Sequence, residues 1–110
     1  YTTALALDDQ DAGLYVNRGA AYDALGNTWQ AIQEYSQAIT LDPAVAQAYC
    51  NRGLCYNELR EHHLALQDFN AAIRLDPRDP DLYRARAEAH TALGNMGRAS
   101  LDYEKADGLP

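Results

Sequence analysis

The stretch YVNRGAAY, Tyr15 to Tyr22, returns thirty-four residues on as YCNRGLCY, Tyr49 to Tyr56, with five of the eight positions identical. Within it Tyr15, Gly19 and Tyr22 fall at i, i+4 and i+7, one face of an α-helix. A fainter third copy places Tyr83, Ala87 and His90 at the same positions. The offset persists beyond the octapeptide. Ala31, Ala65 and Ala99 align, then Tyr35, Phe69 and Tyr103, then Ala38, Ala72 and Ala106. Leu-Asp-Pro closes two units, at Leu41–Pro43 and Leu75–Pro77. Tyr1 and Ala4 keep the same register, so the chain opens inside a further unit. A fixed period kept this long marks a repeat architecture, in which units that cannot bury both faces alone stack and share a core.

Each unit holds two helical periods. Ala31, Tyr35 and Ala38 repeat the i, i+4, i+7 spacing, and Leu25-Gly26-Asn27 separates the halves. Gly26 suits a left-handed helix end, and Asn27 suits the cap of the next helix. Asp42-Pro43 and Asp79-Pro80 read as an N-cap followed by Pro at the first helical position. The spacing predicts helices at about 12–25, 28–41, 44–59, 62–75, 80–93 and 96–106, with a leading piece at about 1–7 and no strands. Two antiparallel helices approach closely only where small residues meet. Gly19 against Ala31 and Gly53 against Ala65 are the expected contacts, with aromatics filling the gaps above and below. Arg60 stands where Gly26 and Gly94 stand in the sibling units. A left-handed geometry there costs roughly 1 kcal/mol; a slightly different turn is the alternative.

Composition narrows the function. The 110 residues are nearly half apolar and fit one domain. The net charge of −7 argues against nucleic acid, whose binding rests on Lys and Arg neutralising phosphates. It argues equally against an anionic membrane surface, and no apolar run reaches spanning length. A start at Tyr1 rather than Met reads as a fragment, so a missing signal segment carries no information. Cys50 and Cys55, five apart, point in different directions on a helix and do not bridge each other. Two free thiols lean toward a reducing, cytoplasmic compartment. Neither they nor the three His give a metal spacing. Glu61-His62-His63 falls at a helix start, where adjacent His side chains diverge, and reads as a solvated end. His90 reads as a packing residue in place of tyrosine. No phosphate loop, HExxH or serine–histidine arrangement is present, so no catalytic residue, metal or cofactor is expected.

The pattern of an aromatic, Gly or Ala four later, Tyr three further on, then Ala, aromatic, Ala and Pro resembles the tetratricopeptide repeat, here in an Asn-Arg-Gly form. The resemblance covers essentially the whole chain. It divides the chain into the tail of a truncated repeat (1–11), repeat 1 (12–45), repeat 2 (46–79) and repeat 3 (80–110), the last degenerate at His90 and Gly108. It implies an all-α solenoid of antiparallel helix pairs in a right-handed superhelix. Its concave side, lined by the first helix of each pair, commonly holds a peptide or protein.

Arg18, Arg52 and Arg86 keep register, and sixteen residues after each comes an acid, Glu34, Asp68 or Asp102. A ladder of ion pairs across the hairpins is expected, with stacking on tyrosine as the alternative. The candidate peptide-binding positions are the non-core residues of the first helices. In repeat 1 they are Val16, Asn17, Ala20 and Asp23. Repeat 2 supplies Gln47, Cys50, Asn51, Leu54, Asn57 and Glu58, and repeat 3 supplies Asp81, Arg84 and Glu88. Asn17 and Asn51 carry a donor and an acceptor each, which suits reading a peptide backbone. Val16, Cys50 and Leu54 offer a small apolar patch. The acids of this face favour a neutral or basic partner. Some family members clamp the carboxylate tail of heat-shock chaperones; of the places that clamp needs, held here by Val16, Ala20, Asn51, Asp81 and Ala85, only Asn51 fits. Two functions follow: a non-catalytic scaffold binding a peptide or protein on its concave face, or a structural module that self-associates through uncapped ends.

Overall fold

Six helices follow one another in the computed structural model, which describes residues 11–109: α1 (Ala12–Ala24), α2 (Thr28–Leu41), α3 (Ala46–Glu58), α4 (His62–Leu75), α5 (Pro80–Ala92) and α6 (Met96–Asp107). The leading piece expected at 1–7 lies outside the described residues. Helices α1 and α2, α3 and α4, and α5 and α6 fold back as hairpins; α2 packs on α3 and α4 on α5, while α1 touches α3 and α3 touches α5. No strand occurs among the described residues. Hairpins stacked in line give an elongated body of 52 × 27 × 19 Å, an all-α helical-repeat solenoid.

The same turn folds all three hairpins. Asn27 N–H donates to the Tyr22 carbonyl (2.9 Å) and Gly26 N–H to Asp23 (2.9 Å). Glu61 to Tyr56 and Arg60 to Asn57 repeat this, as do Asn95 to His90 and Gly94 to Thr91. This pairing closes a helix only if the residue between takes positive φ. Gly26 (82°) and Gly94 (81°) do so freely, and Arg60 takes φ 63° without that freedom. The left-handed geometry therefore holds in the second hairpin too. Asn27 sits at its cap position but makes no side-chain capping bond.

One expected start is displaced. Asp79 caps α5, accepting from Asp81 N–H, with Pro80 at the first position. Asp42 instead ends α2, its N–H bonded to Ala38, and its carboxylate accepts from Ala44 N–H within the turn. Helix α3 begins at Ala46 behind Val45, whose side chain has nothing to cap with. The repeat register explains this: Asp42-Pro43 corresponds to Asp76-Pro77, whereas Asp79-Pro80 corresponds to Val45-Ala46.

The close approach within each hairpin also differs in partner. A Cβ built on Gly19 would lie 2.5 Å from Tyr35 Cε1, and one on Gly53 2.7 Å from Phe69 Cε1. Each glycine thus opens a seat for the facing aromatic ring, rather than for the alanine one turn earlier. The seated rings are fully enclosed and anchor the shared core: Tyr35 with Ala31, Ile32 and Cys55, and Phe69 with Ala65, Ala85 and Ala89. Each cluster joins a second helix to the first helix of the next hairpin.

The arginine ladder is present, and its rungs are unequal. Arg52 grips Asp68 through two bonds (Nε 2.8 Å, Nη2 2.7 Å), and Arg86 grips Asp102 likewise (2.9 and 2.7 Å). Arg18 Nε lies 3.0 Å from Glu34 Oε1, but without hydrogen-bonding geometry. Stacking accompanies pairing, with Arg18 5.2 Å from the Tyr15 ring, Arg52 5.9 Å from Tyr49 and Arg86 5.6 Å from Tyr83. Each full rung also reaches backward. Arg52 Nη1 donates to Ser36 Oγ (3.1 Å) and Arg86 Nη1 to Asn70 Oδ1 (3.0 Å), tying adjacent hairpins together.

Candidate functional site

Helices α3 and α5 run side by side with the α4–α5 turn at one end, and between them lies an open cavity of about 350 Å³. Its α3 wall follows helical spacing: Ala46, Gln47, Cys50, Asn51 and Leu54 share one face. Leu82 of α5 closes the apolar floor. Asp76 and Asp79 from the turn and Asp81 from the first turn of α5 form an acidic rim. The turn brings them together because Asp76 ends α4 while Asp79 begins α5.

The rim is felt electrostatically. Burial pushes the Cys50 thiol up to about 11, and Asp79 and Asp81 add to the rise. On the opposite side of α3, in the core against α2, burial pushes the Cys55 thiol up to about 12, helped by Asp23 and Glu58. Both cysteines are free, and both stay protonated at neutral pH, which makes them packing groups rather than nucleophiles. Asn51 lines the cavity and also offsets part of the rise, to about 12, that burial gives the Tyr35 hydroxyl.

Of the residues singled out from sequence, Gln47, Cys50, Asn51, Leu54 and Asp81 converge on this cavity. Val16 is half-buried, packed against the Ile32–Tyr35 cluster and against Ala12, Ala38 and Ala48, and it does not line this cavity. Asn17 and Ala20 are exposed on α1, and Glu88 is exposed on α5. Asp23 lies near the Cys55 thiol and helps to raise it. Asn57 Oδ1 lies 2.9 Å from His62 Nδ1, and Glu58 accepts from Thr28 Oγ1 (3.5 Å), so both already have partners at the hairpin end. Arg84 is held by Asp81 (3.4 Å) and Asp107 (3.6 Å). The lining residues not foreseen are Ala46, Leu82, Asp76 and Asp79. Leu82 shares the register of the buried Ala48, which hid it among core positions. The two aspartates read only as helix-terminal residues.

Residues 46–79 match the family model described as tetratricopeptide repeat, and residues 24–59 match one described as TPR repeat. Among solved structures, the chain is similar to the second TPR of Spaghetti (RPAP3) bound to the HSP90 peptide SRMEEVD, with TM-score 0.89, 29% identity, and coverage of 94% of this chain and 96% of that one. The Arabidopsis OM64 TPR domain is similar at TM-score 0.86 and 28% identity, over 89% of this chain and 81% of that one. MamA is similar at TM-score 0.87 and 27% identity, over 93% of this chain and 56% of that one. No curated protein matches the chain in sequence.

Proposed function

This chain belongs to the tetratricopeptide-repeat family, and from that premise we propose that it is a non-catalytic interaction scaffold holding a peptide or protein segment in the groove between α3 and α5. One observation carries the reading: an open cavity with an apolar floor at Cys50, Leu54 and Leu82, an amide at Asn51, and three aspartates on its rim. An extended segment would set a small apolar side chain on the floor and lay its backbone along Asn51. Its basic neighbours would face Asp76, Asp79 and Asp81, which favours a neutral or basic partner. The free thiols support a reducing, cytoplasmic setting for that encounter.

The acidic peptide bound by the similar Spaghetti TPR domains is a poor fit to this groove. Asp81 and the neighbouring rim would repel the glutamates and terminal carboxylate of SRMEEVD, and Val16, Ala20 and Ala85 offer no cation in return. The test is a peptide array graded in net charge, followed by amide chemical-shift mapping of the best binder. Basic peptides with one central apolar residue are expected to bind and to shift Cys50, Asn51, Leu54 and Leu82, with Leu54→Arg weakening them at least tenfold. Tight, salt-sensitive binding of SRMEEVD, or shifts confined to helices other than α3 and α5, overturns the reading.

A further inference from the structure

We propose that the cavity among α4, α5 and α6 binds a small oxyanion group, a carboxylate or a phosphate, at a site separate from the peptide groove. The cavity has a volume of about 360 Å³ and is lined by Asn70, Arg86, His90, Arg98, Leu101 and Asp102, none of which lines the groove. In the second hairpin Tyr56 takes the place of His90, its ring 5.8 Å from the Arg52 guanidinium. The imidazole of His90 is smaller than that phenol and leaves room beside Arg86.

The polar lining has its acceptors occupied and its donors to spare. Both Asp102 oxygens accept from Arg86 (2.9 and 2.7 Å), and Asn70 Oδ1 accepts from Arg86 Nη1 (3.0 Å). Asn70 keeps its amide N–H groups to offer. Burial disfavours a proton charge on His90; Asp102 pulls the other way, and Arg86 and Arg98 add to the lowering. The Asn95 amide nitrogen lies 3.5 Å from His90 Nδ1, so the neutral ring carries its proton on Nε2. Nε2 is 3.9 Å from Asp102 Oδ2, too far for a hydrogen bond. Arg98 is exposed and has no hydrogen bond or ion pair among the described residues. Asp102 cancels the charge of Arg86, so Arg98 leaves the cavity positive in a chain of net charge −7. An oxyanion would accept from Asn70, His90 Nε2 and Arg98 and neutralise that charge.

The mouth of the cavity stays open under further stacking. Leu64 and Gln67 hold the places of Arg98 and Leu101 in the second hairpin. Both are exposed although α5 and α6 pack beyond them. A hairpin stacked on α6 would therefore leave Arg98 and Leu101 accessible. Leu101, 65% exposed, gives the mouth an apolar lip on which the carbon chain bearing the oxyanion can lie.

Heteronuclear NMR titration of the 110-residue chain at pH 7 tests this, with sodium phosphate or sodium acetate as the probe and ionic strength held by chloride. Saturable shifts of the His90 imidazole, the Asn70 side-chain amide and the Arg98 guanidinium are expected, half complete in the millimolar range. Earlier saturation by phosphate assigns the site to a phosphate group, and earlier saturation by acetate assigns it to a carboxylate. Arg98→Gln brings in the counterpart residue of Gln30 at an exposed position and should weaken binding about tenfold. His90→Tyr matches Tyr22 and Tyr56, fills the cavity and should abolish saturation, with circular dichroism checking that both variants stay folded. Shifts that grow without saturating, that persist undiminished in both variants, or that centre on Arg52 and Ser36 overturn the proposal.

Discussion

Arg60 holds a backbone conformation that its register mates assign to glycine, with φ 63° against 82° and 81°. A side chain in that region costs about 1–2 kcal/mol, while glycine gives back about 0.5–1 kcal/mol through its freer unfolded chain. Arg60→Gly is therefore expected to stabilise the fold by about 0.5–1 kcal/mol and raise Tm by a few degrees, read by calorimetry. An unchanged or lower Tm would show that the turn is not strained. His90 is the second unusual residue. Burial holds its imidazole below the ordinary 6.5; Asp102 pulls the other way, and Arg86 and Arg98 reinforce the lowering. The folded protein resists a proton that the unfolded chain accepts, so stability present above pH 6.5 is lost as pH falls below it. His90→Tyr restores the residue of Tyr22 and Tyr56 and should flatten the fall in Tm between pH 7.5 and 5.5. A fall as steep as wild type would place the titrating group elsewhere.

Within a hairpin the decisive contact is a ring seated on a glycine. A methyl at Gly53 would stand 2.7 Å from Phe69, which is fully buried and has nowhere to go. Overpacking of that kind costs about 1–3 kcal/mol, more than the roughly 1 kcal/mol that alanine contributes in a helix. Gly97 has open space around its Cβ direction. Gly53→Ala should destabilise by up to about 2 kcal/mol and Gly97→Ala should stabilise by about 0.5 kcal/mol, measured by denaturant unfolding. Matching signs for the two would refute the seat. That a small residue was needed at Gly19 and Gly53 was legible from the i, i+4, i+7 pattern. The identity of the partner was not, because periodicity names the face a residue lies on and says nothing of how far along the facing helix its neighbour sits. Asp42 teaches the same lesson at a helix end. Its dipeptide is locally sound as a cap, yet the register makes it the counterpart of Asp76.

Across the whole molecule, cohesion depends on side chains that belong to two hairpins at once. Arg52 holds Asp68 in its own hairpin and Ser36 in the one before. Burial lifts the Asp68 carboxyl above its ordinary value even against that arginine, so the charge is tolerated there only with its partner in place. Arg52→Met should cost about 3 kcal/mol, and the double change with Asp68→Leu should recover much of it. Arg18 is about half exposed and pairs without hydrogen-bonding geometry, although Glu34 beside it is buried, so Arg18→Met should cost less than Arg52→Met. Equal losses in denaturant unfolding would mean that the rungs are not graded by burial. The period, the helices, the turns and the arginine–acid register all lie in local spacing, and local spacing is visible in a string of letters. The cavity belongs to another class. Cys50 and Leu54 meet Asp76, Asp79 and Leu82 because one hairpin leans on the next, a contact between residues some thirty positions apart. The same stacking half-buries Val16 against Ile32 and Tyr35 and leaves Tyr103 exposed where its counterparts are enclosed. A repeated sequence writes the same face three times; what that face touches depends on which neighbour packs against it, and that is fixed only when the hairpins come together in space.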